Sequence, residues 1–170
     1  MSGRALALAT AAALAGAGPV AASGARVGTA GVTVALPAGW HAWEPPARPA
    51  PVTDPATRVV AVSAPFRFAA AGCQVAAYAF PPGAAAIVVV EWVRLGASDR
   101  WAPRPARFTR KTLPLRPPPA VECFDGAGGS VQFAERGRRF GAYLLAGRTA
   151  RPALVERARA VLDTLRVAGR

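Results

Sequence analysis

The sequence predicts an α+β fold, with a mainly antiparallel sheet of about five to six strands and a C-terminal helix packed on one face. Short β-branched runs recur along the chain, two later runs flank Arg136 and Gly137, and the last apolar segment has helical spacing. Successive strands closed by a helix are typical of α+β domains. We expect a single domain over residues 31–168.

The strand segments show either alternation or continuous apolar character. Residues 32–36 alternate apolar with small or polar side chains, and residues 57–63 are rich in β-branched side chains. Residues 85–94 are nearly all apolar, which predicts a strand that is covered on both faces. The remaining predicted strands are residues 120–124 and the two arms of a hairpin, 130–135 and 138–146.

Most prolines fall in two segments, residues 44–56 and 96–119, and predict loops because proline lacks a backbone donor. Trp101 and Phe108 indicate that the second loop packs on the domain. Residues 72–80 fit a short helix or a strand, and we favour the helix. The glycines of residues 125–129 predict a turn.

The closing segment has the spacing of an amphipathic helix. Its apolar stripe consists of Leu154, Ala158, Val161, Leu162 and Leu165. Its charged residues, Glu156, Arg157, Arg159 and Asp163, are predicted to lie on the other side. Thr149 is the predicted N-cap, and Pro152 falls in the first turn, where proline is tolerated.

The N-terminus has the pattern of a secretory signal peptide over residues 1–22. Arg4 precedes an uncharged, Ala/Leu-rich run over residues 5–18, and small residues follow at Val20 and Ala22. A membrane-spanning helix needs about 20 apolar residues, so the run is too short to span a bilayer. An ordinary N-terminal helix is the alternative. We expect residues 23–30 to form a short segment before the domain of a secreted or extracytoplasmic protein without a transmembrane segment.

The two cysteines, Cys73 and Cys123, predict a disulfide, because an exported pair meets an oxidising compartment. Two cysteines and the single histidine do not make a closed zinc site, so no metal is expected. No cofactor is expected either, because the glycines of residues 126–129 lack the spacing and the following helix of a nucleotide-binding loop.

The net charge of +12 comes from 21 basic and 9 acidic residues, and Lys111 is the only lysine. The excess of arginine is also typical of GC-rich codon usage. Residues 100–116, called here the basic segment, carry no acid and supply the candidate anion-binding residues Arg100, Arg104, Arg107, Arg110, Lys111 and Arg116. An anionic cell-envelope polymer, lipid headgroups or an acidic protein would fit them, and export argues against nucleic acid. The alternative is a solvated basic loop.

Glu91 shares its strand face with Ile87 and Val89, so we expect a structural ion pair with an arginine such as Arg138. His41 is the only histidine, and no serine lies in a nucleophile context. A small extracytoplasmic hydrolase that uses His41 or Glu91 is therefore an alternative rather than the leading interpretation.

Four segments carry a resemblance: Leu36-Pro-Ala-Gly-Trp-His41, Glu91-Trp92, Gly137-Arg-Arg-Phe140 and Ala160-Val-Leu-Asp-Thr-Leu-Arg-Val167. Together they resemble a group of small, uncharacterised secreted proteins of actinobacteria, and more loosely the PsbP/Mog1-like α/β sandwich domains. The second likeness implies a strand joined to a late helix and an accessory or assembly role, and it supplies no catalytic residue. Our leading expectation is an exported non-catalytic domain that binds an anionic cell-envelope surface or a secreted partner.

Overall fold

The computed structural model describes residues 24–43, 54–69, 73, 75, 78–94 and 100–169. Within these residues the chain forms ten strands and one helix, which confirms the α+β prediction. The strands are β1 (Arg26–Thr29), β2 (Val32–Ala35), β3 (His41–Ala42), β4 (Ala56–Val62), β5 (Arg67–Phe68), β6 (Tyr78–Ala79), β7 (Ala85–Glu91), β8 (Gly126–Glu135), β9 (Arg138–Gly147) and β10 (Arg166–Val167). The helix is α1 (Pro152–Asp163). The predicted signal peptide, residues 1–22, lies outside the described residues.

The main sheet has five antiparallel strands in the order β3-β4-β7-β9-β8. Its central strand β7 is buried at every position, which confirms a strand covered on both faces. The predicted hairpin is also confirmed, because β8 and β9 turn at Arg136 and Gly137 with φ values of 50° and 71°. Two such left-handed residues match the twist of the flanking strands.

One face of the main sheet is covered by α1 and by a three-stranded sheet in the order β1-β2-β10. A single buried cluster joins Ile87 of the main sheet to Val34 of β2 and Leu162 of α1. Phe108 and Leu113 of the basic segment belong to the same cluster, so the proline-rich loop packs on the domain as predicted. Residues 26–29, which fall in the segment expected to precede the domain, form β1 of this layer.

The opposite face is covered by two segments that a disulfide joins. Cys73 and Cys123 are bonded with their Cα atoms 6.2 Å apart, which confirms the predicted pair. Val88 of the sheet packs there with Val75 and Tyr78. Because the crosslink closes a loop of 50 positions, the chain-entropy model gives it a stabilisation of roughly 4 kcal/mol.

Two predictions near residue 125 are wrong. Residues 120–124 form bends and a turn rather than a strand, and the left-handed φ of 61° at Cys123 lies outside the extended range of regular strands. Residues 125–129 form no turn, since Gly126 begins the ten-residue strand β8. Its glycines allow another segment to cross closely: a Cβ atom on Gly129 would lie 2.0 Å from the carbonyl oxygen of Pro114.

The helix favoured for residues 72–80 is also wrong where the structure describes that segment. Its end is strand β6, which pairs with β5 in a two-stranded sheet. The segment packs beside the main sheet and contains β-branched and aromatic side chains. Such side chains favour an extended backbone, because they pack well on a pleated surface.

The start of α1 and one of its faces differ from the prediction. The N-cap is Arg151, whose side chain makes no capping hydrogen bond, and not Thr149 as predicted. The backbone N–H of Thr149 donates to the carbonyl of Pro82. Arg159 was expected on the polar side but is buried, because the basic segment covers that side of the helix. Its Nη2 atom donates to the carbonyl of Leu113 over 3.0 Å.

Candidate functional site

The basic segment is held on the domain at both ends and in the middle. Near its start, Ala134 of β8 donates its N–H to Ala102 over 2.7 Å. Near its end, Arg116 and Gly128 exchange two backbone hydrogen bonds of 2.8 and 2.9 Å. Phe108 and Leu113 anchor the middle in the core, with exposures of 3% and 0%. The segment is therefore a fixed surface rather than a solvated loop.

Three of the six predicted anion-binding residues form ion pairs on this surface. Arg104 pairs with Glu135 at 3.3 Å, Arg107 with Asp163 at 3.4 Å and Arg110 with Glu156 at 2.7 Å. The side chains of Arg107 and Arg110 nevertheless remain 78% and 75% exposed. Exposed pairs of this kind contribute about 0–1 kcal/mol, so an anionic partner can compete for these arginines.

The other three predicted residues, Arg100, Lys111 and Arg116, are exposed. Within the described part of the chain their side chains have no ion pair or hydrogen bond. Among the described residues these three cations have no counter-charge, and they carry the largest uncompensated charge of the segment.

A cleft of about 610 Å³ opens between the basic segment, the ends of β8 and β9, and the first turns of α1. Its walls are apolar and include Pro114, Pro117, Ala127, Ala146, Pro152 and Val155. Three arginines, Arg110, Arg148 and Arg159, and one carboxylate, Glu156, also line it. The sequence did not reveal this cleft, because its walls come from three segments that are distant along the chain.

Glu156 lies between two of the arginines of the cleft. It accepts hydrogen bonds from Nε of Arg110 over 2.7 Å and from Nη1 of Arg159 over 2.8 Å. The hydrogen bond from Arg110 is the main reason that the pKa of Glu156 is lowered. Nε of Arg159 is buried and has no hydrogen-bond partner among the described residues. A buried donor without a partner is costly to the fold.

A second cluster of charges surrounds Glu91 at the other end of the main sheet. Arg138 donates from Nε to Oε1 over 2.8 Å and from Nη2 to Oε2 over 2.7 Å, while Arg58 donates from Nε to Oε2 over 2.7 Å. The structure thus brings together the two residues of the predicted ion pair. Arg138 also lies over the ring of Phe140, with 5.3 Å from its guanidinium carbon to the ring centre.

Sequence reasoning missed Arg58 because the pairing of β4 with β7 shifts by a residue between Thr57 and Val59. Such a bulge changes the side on which a side chain emerges, so strict alternation does not identify the partner of Glu91. The only feature of the sequence that could have indicated Arg58 is the presence of an arginine within a run of β-branched residues.

The arginines fix the ionisation of Glu91. Burial by itself would raise the pKa of this carboxyl, but the hydrogen bonds and charges of Arg138 and Arg58 outweigh it and lower the pKa to about 2. General acid–base catalysis works best with a pKa near the working pH. Glu91 is therefore suited to holding the sheet end together and poorly suited to moving protons at neutral pH.

His41 lies far from Glu91 and on a different strand. It is exposed on the edge strand β3, opposite Val62, whereas Glu91 is opposite Ala56. Val62 and Ala56 are at the two ends of β4, so the two residues are separated by about 20 Å along the sheet. They cannot belong to one catalytic arrangement, and the described residues contain no group of three or more His, Cys, Asp or Glu that would hold a metal ion.

No helix within the described ranges is long and apolar enough to cross a bilayer. Comparisons of the chain with protein-family models, with curated proteins and with solved structures gave no match. The basic segment and the cleft beside it are therefore the features of this structure that bear on function.

Proposed function

We propose that this chain is an exported, non-catalytic binding domain that associates with anionic material of the cell envelope through its basic segment. The observation that carries the proposal is a set of exposed cations, Arg100, Lys111 and Arg116, on a segment fixed by buried Phe108 and Leu113. Because the backbone of the segment is already ordered, binding has to order only the charged side chains, which favours association.

Export is supported by the signal-peptide pattern of residues 1–22 and by the disulfide, since disulfides persist in oxidising compartments. In that setting anionic polymers and lipid headgroups are the abundant partners for a basic surface. A non-catalytic role is supported by the low pKa of Glu91 and by its distance from His41.

Sedimentation with vesicles tests the proposal. Arg100, Lys111 and Arg116 are changed together to Ser, and binding to vesicles that contain phosphatidylglycerol is compared with binding to neutral vesicles. We expect the parent to bind only the anionic vesicles and the triple variant to bind them several-fold more weakly. Exposed substitutions usually change stability by within about 0.5 kcal/mol, so the fold should be retained.

The matched control changes three exposed arginines elsewhere, Arg67, Arg94 and Arg157, to Ser and removes the same net charge. Equal losses in the two triple variants would mean that only total charge matters, and would overturn a role for the basic segment. Unchanged binding in both variants would also overturn a role for the basic segment.

A further inference from the structure

The cleft beside the basic segment has apolar walls and a charged cluster, and this combination is typical of a site for an amphipathic molecule. Its volume of about 610 Å³ lies within the range of small-molecule sites, which is roughly 300–1,000 Å³. The apolar walls, supplied mainly by proline, alanine and valine, suit a flexible hydrocarbon chain.

The composition of the walls favours an aliphatic ligand over a nucleobase. Among the described residues that line the cleft there is no aromatic side chain. Nucleobases bind largely by stacking on aromatic rings, and such a platform is lacking here. An aliphatic chain needs no stacking partner and gains affinity from the area that it buries.

The charged cluster fits an anionic head. Arg110, Arg148 and Arg159 line the cleft with one carboxylate, Glu156, and Arg148 is paired with Asp125, which does not line it. The three arginines therefore still exceed these two carboxylates by one charge. Arg159 is 5% exposed, and its two terminal nitrogens bond to Glu156 and to Leu113, so a ligand carboxylate reaches it by taking the place of Glu156. Guanidinium groups match the two oxygens of a carboxylate.

From the apolar cleft and its arginine cluster we infer that the cleft binds a single-chain fatty acid, with the chain along the proline-lined walls and the carboxylate at Arg110 and Arg159. This rests on the proposed function and deepens it: the basic segment brings the domain to an anionic lipid surface, and the cleft holds one acyl chain there. Glu156 occupies both arginines in the absence of ligand and competes with the incoming carboxylate.

Displacement of a fluorescent acyl probe by dodecanoate, below its micelle concentration, measures this binding. Affinity should fall by about fourfold for each methylene removed from the chain, because each buried methylene contributes to transfer from water. Dodecanol, which lacks the charge, should bind about tenfold more weakly or worse.

Two variants with matched controls locate the site. Glu156→Gln removes the competing carboxylate and should tighten dodecanoate binding, whereas Glu122→Gln makes the same charge change outside the cleft and should leave it unchanged. Ala127→Leu fills the floor of the cleft and should abolish binding, whereas Ala153→Leu on an exposed position of α1 should not.

Glu156 is 45% exposed on its side chain, so its variant stays informative even if Ala127→Leu is poorly folded. The inference is overturned if dodecanoate does not displace the probe, or if Glu156→Gln and Glu122→Gln bind it equally. If the parent still sediments with anionic vesicles in that case, only the fatty-acid inference is wrong and the proposed function stands. If the parent fails to sediment, the proposed function is wrong whatever the result with dodecanoate.

Discussion

Two clusters of arginine and carboxylate side chains lie at opposite ends of strand β9 and differ in their access to water. At the start of β9, the Glu91 and Arg138 side chains are 2% and 5% exposed. Near its end, around the cleft, the Glu156 and Arg110 side chains are 45% and 75% exposed. The chemical groups are the same, and their surroundings decide whether they stabilise the fold or remain available to a partner.

The buried cluster depends on its carboxylate, because two guanidinium groups would otherwise lie uncompensated beside each other. Removing one member of a buried pair costs far more than the pair itself contributes. Around the cleft, water can replace a lost partner of Arg110 and Glu156, which are 75% and 45% exposed, so the same change costs less there.

Glu91→Gln should lower the free energy of unfolding by about 3–5 kcal/mol, since it leaves Arg58 and Arg138 without their buried counter-charge. Urea unfolding followed by far-ultraviolet circular dichroism measures the loss. The control is Glu122→Gln, an exposed carboxylate, which should unfold at the parent midpoint. A loss below about 1 kcal/mol for Glu91→Gln would show that water reaches the cluster in solution.

Acid should weaken the parent through the same carboxyl. The folded pKa of Glu91 is about 2, below its ordinary value of 4.5. The stabilisation is therefore fully present above pH 4.5 and is lost as the pH falls through that range towards 2. We expect a loss of about 3 kcal/mol from this group. A smaller decline in Glu91→Gln than in the parent would assign the effect to Glu91, and parallel declines would contradict it.

Glu156→Gln should lower the free energy of unfolding by less than Glu91→Gln does, because Glu156 and Arg110 are 45% and 75% exposed, although the other partner, Arg159, is 5% exposed. Thermal unfolding of this variant beside Glu91→Gln gives the comparison directly. Equal destabilisation of the two would mean that the cleft cluster is part of the structural core.

The sequence predicted those elements whose signal is local. The continuous apolar run of β7, the turn at Arg136 and Gly137, and the apolar spacing of α1 each depend on neighbouring residues, and the structure contains all three. The disulfide also followed from a simple rule, since Cys73 and Cys123 are the only cysteines.

The errors come from contacts between distant segments. Gly128 and Gly129 resemble turn residues, but they lie inside β8 because Val121 and Pro114 pack against them. The burial of Arg159 depends on the basic segment, which no spacing within the helix encodes. The cleft was missed for the same reason, since its walls meet only after the chain has folded.

The salt dependence of binding to anionic vesicles tests the central claim most directly. Exposed charges act over a Debye length of about 8 Å at physiological salt, and this length shortens as salt rises. We predict that the parent binds strongly at low salt and is released as salt increases. The variant with Arg100, Lys111 and Arg116 changed to Ser should bind weakly throughout, and the variant of Arg67, Arg94 and Arg157 should follow the parent. Superimposable curves for all three proteins would contradict the assignment of the basic segment as the binding surface.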